Sequence, residues 1–407
     1  MLTSPLTLPC GAVLKNRLAK AAMTERIGDK AFNPTDDHVR LYKRWADTGT
    51  GLLITGNAMI TRKYVESAGN VVLDEDSDMN ALTDWVDAGK SQGNHLWVQI
   101  NHAGRQTSIL NSFRPLAPSE VKLNKLGLFG KPKAMTEAQI HEVINDFATS
   151  ARVAKQVGFT GIQIHSAHGY LLSQFLSPHT NLRTDQWGGS LENRSRLLLK
   201  VVQATREAVG HDFPVSVKIN SADFQRGGFE QEESLAVIQL LAEEKIDLLE
   251  VSGGTYEKLV FLTKNSESPS QAESTRKREA YFIDFAKKVR AKVKLPLMIT
   301  GGFRSFDFCQ DVLEGGEIDV VGMGRPFLTN SHEIKEFIEG KVPHLDNLIY
   351  KTGIKSFDDL AEGGVNAKQL INLARGEAYN KNVSSMQGFS FFLWYEFYKS
   401  LARKLSF

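Results

Sequence analysis

The sequence predicts an α/β protein: a (β/α)8 TIM barrel with an N-terminal hairpin lid and a C-terminal helical extension. Three observations lead there. Eight short apolar runs punctuate the chain, longer amphipathic stretches separate them, and the residues able to do chemistry gather just after the runs. Residues 1–340 are expected to form the barrel and residues 341–407 a helical, aromatic-rich extension.

The candidate strands are Leu18 to Ala22, Gly51 to Thr55, Leu96 to Ile100, Gly161 to Ile164, Val215 to Ile219, Leu248 to Val251, Leu297 to Thr300 and Asp319 to Gly322. They are rich in Val, Ile and Leu without strict alternation, which suits strands covered on both faces of a parallel sheet. Between them, Thr136 to Val157 repeats Ile140, Val143, Ile144, Phe147 and Ala151 at helical spacing, and Thr136 before Gln139 is a capping-box pattern. Similar helices are expected over Leu191 to Val209, Gln231 to Glu244, Tyr281 to Val293 and Ser305 to Leu313. Strands and helices in alternation favour the closed barrel over an open doubly wound sheet.

The first residues, LTLPCGAVLKNRLAKAAM, read as a hairpin turning at Pro9 to Gly11 that would close the lower end of the barrel. The stretch from Thr107 to Lys133 carries three prolines and two glycines and reads as a long loop over the upper face. Beyond residue 340, two helices are expected, the last within GFSFFLWYEFYKSLARKLSF. Seven of the ten residues from Phe389 to Tyr398 are aromatic, yet Glu396 and Lys399 interrupt any spanning segment, so packing on the barrel or on a neighbouring subunit is the plain expectation, and a homo-oligomer is one form of it. Membrane-surface attachment is the alternative.

Composition removes several function classes. At 407 residues, 42% hydrophobic and 24% charged, the chain can bury a large core. With 49 Lys plus Arg against 47 Asp plus Glu, a net charge of +2 gives no reason to expect nucleic acid as partner. A small neutral or mildly anionic ligand fits better. Cys10 and Cys309 are far apart and lack CxxC spacing, so neither a disulfide framework nor a zinc or iron–sulfur site is expected. With no leader peptide and no apolar run of about 20 residues, a cytoplasmic location without a membrane span is expected.

Barrel enzymes carry their catalytic groups at the carboxyl ends of the strands. Here those ends bear Ala22-Met23-Thr24, Gly56-Asn57, Gln99 and His102, His165-Ser166-Ala167-His168-Gly169-Tyr170, Gly301-Gly302 and Gly322-Met323-Gly324-Arg325. The last two follow the seventh and eighth strands, where such barrels bind phosphate through backbone N–H groups, with Arg325 adding charge. A glycine pair alone is usually only a tight turn; two at these strands point to an anion.

The HxxHxY stretch is the sharpest signal. Two imidazoles at a strand end can donate to a carbonyl or nitro oxygen and stabilise the charge that grows there when hydride adds to the conjugated carbon, while Tyr170 supplies a proton. A metal pair or structural hydrogen bonding are the competing readings of His165 and His168. Lys218 lies inside an apolar strand, PVSVKIN, and needs an anion. An electron-rich cofactor ring or an internal salt bridge would each satisfy it.

These residues fall in segments that resemble the old yellow enzyme family of FMN-dependent NADH:flavin oxidoreductases and ene reductases over roughly residues 3 to 340. The segments are LKNRLAKAAMT, VQINHAGRQ at 98 to 106, GIQIHSAHGYLLSQFLSPHTNLRTDQWGGSLENRSR at 161 to 196, VSVKINSADF at 215 to 224 and VGMGRPFL at 321 to 328. The resemblance implies that Ala22, Met23, Thr24, Asn57 and Gln99 hold the isoalloxazine ring, with Thr24 on the flavin O4. It places Lys218 near N1 and O2, and Gly301, Gly302, Gly324 and Arg325 on the phosphate. It makes His165 and His168 the substrate-oxygen pair and Tyr170 the proton donor. NADH or NADPH would deliver hydride to FMN, which passes it to an activated alkene such as an enone, nitroalkene or quinone.

The chain departs from that pattern in two residues: Ala22 stands where many relatives have proline, and Lys218 where most have arginine. Lysine keeps the charge and loses the planar fork, which bears on the flavin's potential. No cysteine-rich stretch or second nucleotide-binding domain follows the barrel, so iron–sulfur chemistry is not expected. A metal-dependent lyase or aldolase on the same barrel, and a flavin-holding scaffold whose tail recruits a partner, are the two alternative functions. Substrate specificity is expected in the loops Ile27 to Thr35, Thr107 to Lys133 and Tyr256 to Glu279.

Overall fold

A computed structural model describes residues 1–125, 127–223, 225, 227–252, 283–346 and 355–404. The expected specificity loop from Tyr256 to Glu279 lies outside them. Eight parallel strands close into a barrel in the order β3 (Leu18–Lys20), β4 (Leu52–Met59), β5 (His95–Asn101), β8 (Gly161–Ser166), β9 (Val215–Asn220), β10 (Leu248–Ser252), β11 (Leu297–Thr300) and β12 (Val320–Met323), which pairs back to β3. The expected eight are the eight found, each within a few residues.

Helices α1 (Asp36–Ala46), α2 (Met79–Gly89), α3 (Glu137–Gln156), α5 (Leu191–Val209), α6 (Gln231–Glu243), α7 (described over 283–290) and α8 (Phe306–Glu314) cover the outside. Short α4 (Leu171–Leu176), α9 (Pro326–Thr329) and α10 (Ile334–Ile338) complete the turns. Thr136 and Gln139 form the predicted capping box of α3. Helices α1 and α2 escaped the sequence reading: α1 is DDHVRLYKRWA, whose inner face includes His38, Tyr42 and Trp45. Alternate strand residues point outward into the main core with the helices, among them Leu53, Val98, Ile164, Val217, Val251 and Ile299.

The residues between them fill the barrel in two chemically distinct layers. Near the amino ends of the strands, Leu52, Ile54, Trp97, Leu248, Met298 and Val320 form an apolar plug. The N-terminal hairpin, β1 (Leu6–Thr7) with β2 (Val13–Leu14), seals it from below by adding Leu8 and Leu14 to the same cluster. Toward the carboxyl ends the inward positions turn polar: Gln99, Gln163, Lys218 and Glu250 are all buried. Buried charge without compensation would be costly there, and the layer satisfies itself. Lys218 Nζ lies 2.7 Å from Glu250 Oε1; Gln163 donates to Glu250 Oε2 at 2.7 Å, and Gln99 donates to Gln163 Oε1 at 2.7 Å. Of the two readings of Lys218, the internal salt bridge is present.

The loop 107–133 runs over the upper rim, tied by β6 (Leu116–Ala117) and β7 (Lys133–Ala134). The extension forms a helical hairpin, α11 (Lys355–Ala374) and α12 (Ser385–Lys404). The two helices cross at Gly364 and Gly388, where a methyl group on Gly364 would come within 1.9 Å of the Gly388 carbonyl oxygen. Among the described residues no helix is long and apolar enough to cross a membrane.

Candidate active site

Strand β4 carries a register shift between Ile54 and Asn57, and such bulges re-aim side chains at barrel rims. Gly56 sits within it. A Cβ there would meet Glu25 Oε2 at 2.0 Å and the Met23 carbonyl at 2.4 Å, so only glycine admits this approach of β4 to the segment after β3. The Gly56 N–H in turn donates to Glu25 Oε1 at 2.8 Å, and the Tyr42 hydroxyl donates to the same oxygen. This anchored contact brings Thr24 to Asn57, whose Oδ1 accepts the threonine hydroxyl at 2.7 Å. The Asn57 amide N–H donates to Glu66 Oε2 at 2.8 Å.

Beside them lies a cavity of about 390 Å³, within the common range of about 300–1,000 Å³ for small-ligand sites. Met23, Thr24, Gly301, Gly302, Gly324 and Arg325 line it from the barrel side. Gly301 and Gly302 take φ of 133° and 89°, a backbone that side chains disfavour. At Gly324 an added Cβ would touch only Met23 at 3.5 Å, so local packing does not demand glycine, and its bareness leaves room on the cavity side. Thr300 also lines the cavity, and its buried hydroxyl finds no partner among the described residues. Arg325 already faces an anion, Glu362 of α11 at 3.2 Å. A cradle of bare glycine backbone, an orphan hydroxyl and a guanidinium fits an anionic, ring-bearing cofactor such as FMN.

The histidine cluster leaves the end of β8. His165 and Tyr170 are buried, with ring centroids 4.9 Å apart, and His168 stands 5.2 Å from His165. His165 Nδ1 accepts the Ala167 N–H at 3.2 Å, which leaves its proton on Nε2. His168 adopts φ 58°, and its backbone is gripped from both sides: the N–H donates to Asn220 Oδ1 at 3.2 Å, and the carbonyl accepts from Gln106 at 2.7 Å. Its Nε2 lies 3.0 Å from Ser252 Oγ at the end of β10.

Burial, reinforced for both rings by the Lys218 charge, holds the two imidazoles neutral: His165 well below the usual histidine value, His168 at about 3. Neutral imidazoles donate one hydrogen bond each without carrying charge. His102, at about 4 through burial, packs at 5.5 Å against Tyr64 nearby, the rings tilted by 41°.

Comparisons with known proteins place the fold in a family. Residues 2–340 match the family model of NADH:flavin oxidoreductase / NADH oxidase. The chain belongs to that family. Relatives include an NADH-dependent flavin oxidoreductase from Hypocrea jecorina, 34% identical over 364 residues, 82% of this chain and 90% of that protein. Among solved structures, a 2-naphthoyl-CoA reductase complexed with 2-naphthoyl-CoA aligns with a TM-score of 0.76 at 25% identity, over 84% of this chain and 52% of that one. An old yellow enzyme homologue from Zymomonas mobilis shares the fold at a TM-score of 0.71 and 23% identity, over 88% of this chain and 98% of that one. The family is one of FMN-dependent flavin oxidoreductases that use NADH or NADPH.

Every site residue expected from the sequence lies at the carboxyl-end face of the barrel or in its polar layer just beneath. Met23, Thr24, Gly301, Gly302, Gly324 and Arg325 share the cavity; Ala22 precedes it; Asn57 joins through Thr24; Gln99 and Lys218 belong to the layer below. Four elements were missed: Glu250, Glu25, the Arg26–Glu66 pair, and the α11 face bearing Gly363, Asn366 and Leu370. Glu250 was visible in principle, as a lone acid in the apolar run LLEVS. Helix α11 gave no such signal.

Proposed function

We propose that this flavin oxidoreductase reduces the C=C bond of an activated alkene, an enone foremost, with nitroalkenes and quinones as related acceptors. The observation carrying it is the trio of His165, His168 and Tyr170, two neutral hydrogen-bond donors and a phenol packed together at one strand end. FMN, when bound, supplies the relay of hydride from NADH or NADPH to the alkene carbon.

His165 Nε2–H and His168 bind the substrate oxygen and stabilise the charge that develops on it as the β-carbon is reduced. Because both rings stay neutral, they polarise that oxygen without protonating it. Ser252, taking or giving a hydrogen bond at His168 Nε2, fixes which ring nitrogen of His168 carries the donor proton. Tyr170 O–H gives its proton to the α-carbon. Gly301, Gly302, Gly324 and Arg325 would hold the cofactor phosphate, Arg325 exchanging Glu362 for it, while Met23, Thr24, Asn57 and Gln99 would contact the ring. Lys218, paired with Glu250, would be the cationic side chain nearest the ring in the polar layer.

The test is an anaerobic titration of the purified yellow protein. NADH or NADPH should bleach it, and cyclohexenone should restore the colour without oxygen. Bleaching followed by no reoxidation across enones, nitroalkenes and quinones would leave a flavin oxidoreductase with another acceptor.

A further inference from the structure

Arg26 follows Thr24 by two residues and takes φ 59°, a left-handed backbone that a non-glycine residue disfavours. Helix α12 holds that backbone in place. The Tyr395 hydroxyl donates to the Arg26 carbonyl at 2.8 Å, and Lys399 Nζ donates to the Gly28 carbonyl at 3.0 Å. The Arg26 guanidinium lies between two carboxylates, 3.0 Å from Glu396 of α12 and 3.5 Å from Glu66, and over the Phe392 ring at 4.8 Å. Glu66 is the residue that accepts the Asn57 amide, and Asn57 accepts the Thr24 hydroxyl.

We infer that Arg26 is a positioning residue, and that Glu396–Arg26–Glu66–Asn57–Thr24 couples the C-terminal hairpin to the proton with which Thr24 addresses the flavin. The inference rests on the reading that the flavin ring lies against Thr24. Thr24 has one hydroxyl proton, and here it goes to Asn57 Oδ1, so a ring oxygen competes with Asn57 for it. The more negative Glu66 is, the harder it pulls on the Asn57 amide and the better an acceptor Oδ1 becomes. Glu396 draws part of the Arg26 charge away from Glu66 and thereby strengthens that pull. The aromatic tail is then part of the cofactor site instead of an appendage to it.

Signs follow. Glu396→Gln removes one of the carboxylates that share the Arg26 charge, releases the Thr24 proton to the ring and stabilises the reduced, more negative flavin, so the midpoint potential rises. Arg26→Met removes the positive charge beside Glu66 and lowers it. Arg26→Lys restores it in part.

Each variant's flavin potential is measured by equilibrium titration against reference dyes, with the visible spectrum and FMN affinity recorded alongside. The expected result is opposite shifts for Glu396→Gln and Arg26→Met, both abolished when Thr24 is replaced by Val. Shifts that persist in the Thr24→Val background would be through-space charge effects and would overturn the coupling. Unchanged potential with lowered thermal stability would reduce the hairpin to a structural support and overturn it as well. If Glu396→Gln does not fold, Tyr395→Phe, which loosens the Arg26 backbone and leaves the charges, tests the same link through the spectrum of the bound flavin. A colourless wild-type protein would remove the underlying reading too; a yellow, active wild type with inert variants would remove the coupling alone.

Discussion

Lys218 and Glu250 face one another across neighbouring strands β9 and β10, register partners with Nζ 2.7 Å from Oε1 inside the barrel. The pair sits where the barrel changes from apolar filling to the polar layer beneath the site. Removing one partner strands the other charge in a buried place, which typically costs about 3–5 kcal/mol. Glu250→Gln and Lys218→Met should therefore each lower the unfolding free energy in chemical denaturation, and the double change Lys218→Met with Glu250→Leu should cost less than either. Additive losses would mean that the two charges do not depend on each other.

The proposed substrate-oxygen role of His165 and His168 gives a kinetic prediction. His165→Ala or His168→Ala should slow reoxidation of the reduced enzyme by an enone by roughly 10²–10³-fold, the usual effect of removing one oxyanion donor. Tyr170→Phe should slow the same step by about 10²–10⁴-fold while binding of a phenolic ligand is retained. Stopped-flow absorbance of the flavin under nitrogen follows both. An unimpaired Tyr170→Phe enzyme would assign the proton elsewhere.

Acid should weaken this protein early. Besides His95, which burial also lowers, four histidines are held below the ordinary value of 6.5, His38 and His168 at about 3, His102 at about 4 and His165 well below, in each case mainly by burial. Between those values and 6.5 the unfolded chain binds protons that the folded one refuses, so stability falls as pH drops below 6.5, by up to about 1.4 kcal/mol per pH unit per histidine. Asp146, raised to about 6, and Glu396, raised above its usual range, are shifted by burial in the opposite sense and offset part of the loss. Urea denaturation at pH 7 and pH 5 should show a clear decrease; equal stabilities would contradict buried neutral imidazoles. Above pH 5 the same residues stay neutral, so they introduce no step into the pH–rate profile up to pH 8.

Gly364 tests the hairpin's packing. Gly364→Ala places a methyl group within 1.9 Å of the Gly388 carbonyl oxygen, so α11 and α12 must separate, at about 1–3 kcal/mol for overpacking. Limited proteolysis should then cut near residues 375–385 faster than in the wild type. Resistance equal to the wild type would mean that the helices tolerate a wider crossing.

The sequence disclosed the barrel because strands covered on both faces must be apolar at nearly every position, and VSVKIN or LLEVS shows that locally. The exceptions within those runs, Lys218 and Glu250, marked the polar layer, but not that they meet: their pairing is set by strand register, 32 residues apart. His165, His168 and Tyr170 were legible as a cluster because they share one strand end. Arg26 and Glu396 were not, being 370 residues apart and on elements that bear no mutual signal. The extent of β4 to Met59 was missed because the bulge at Gly56 breaks the apolar run at the point where the site begins. Helix α1 hid for a related reason: its buried face includes His38 and Tyr42, whose Nδ1 and hydroxyl meet Thr35 and Glu25 once the chain is folded.

The central claim, that the trio on β8 serves reduction of an activated alkene, meets its most direct test in single-turnover reoxidation. Enzyme bleached with one equivalent of NADH or NADPH under nitrogen is mixed with cyclohexenone, and flavin absorbance near its visible maximum is followed while the product is identified. Full return of the yellow colour with one equivalent of cyclohexanone formed, slowed in both His165→Ala and Tyr170→Phe, is the predicted result. Absorbance that stays bleached until air enters, or a return indifferent to both substitutions, would contradict it.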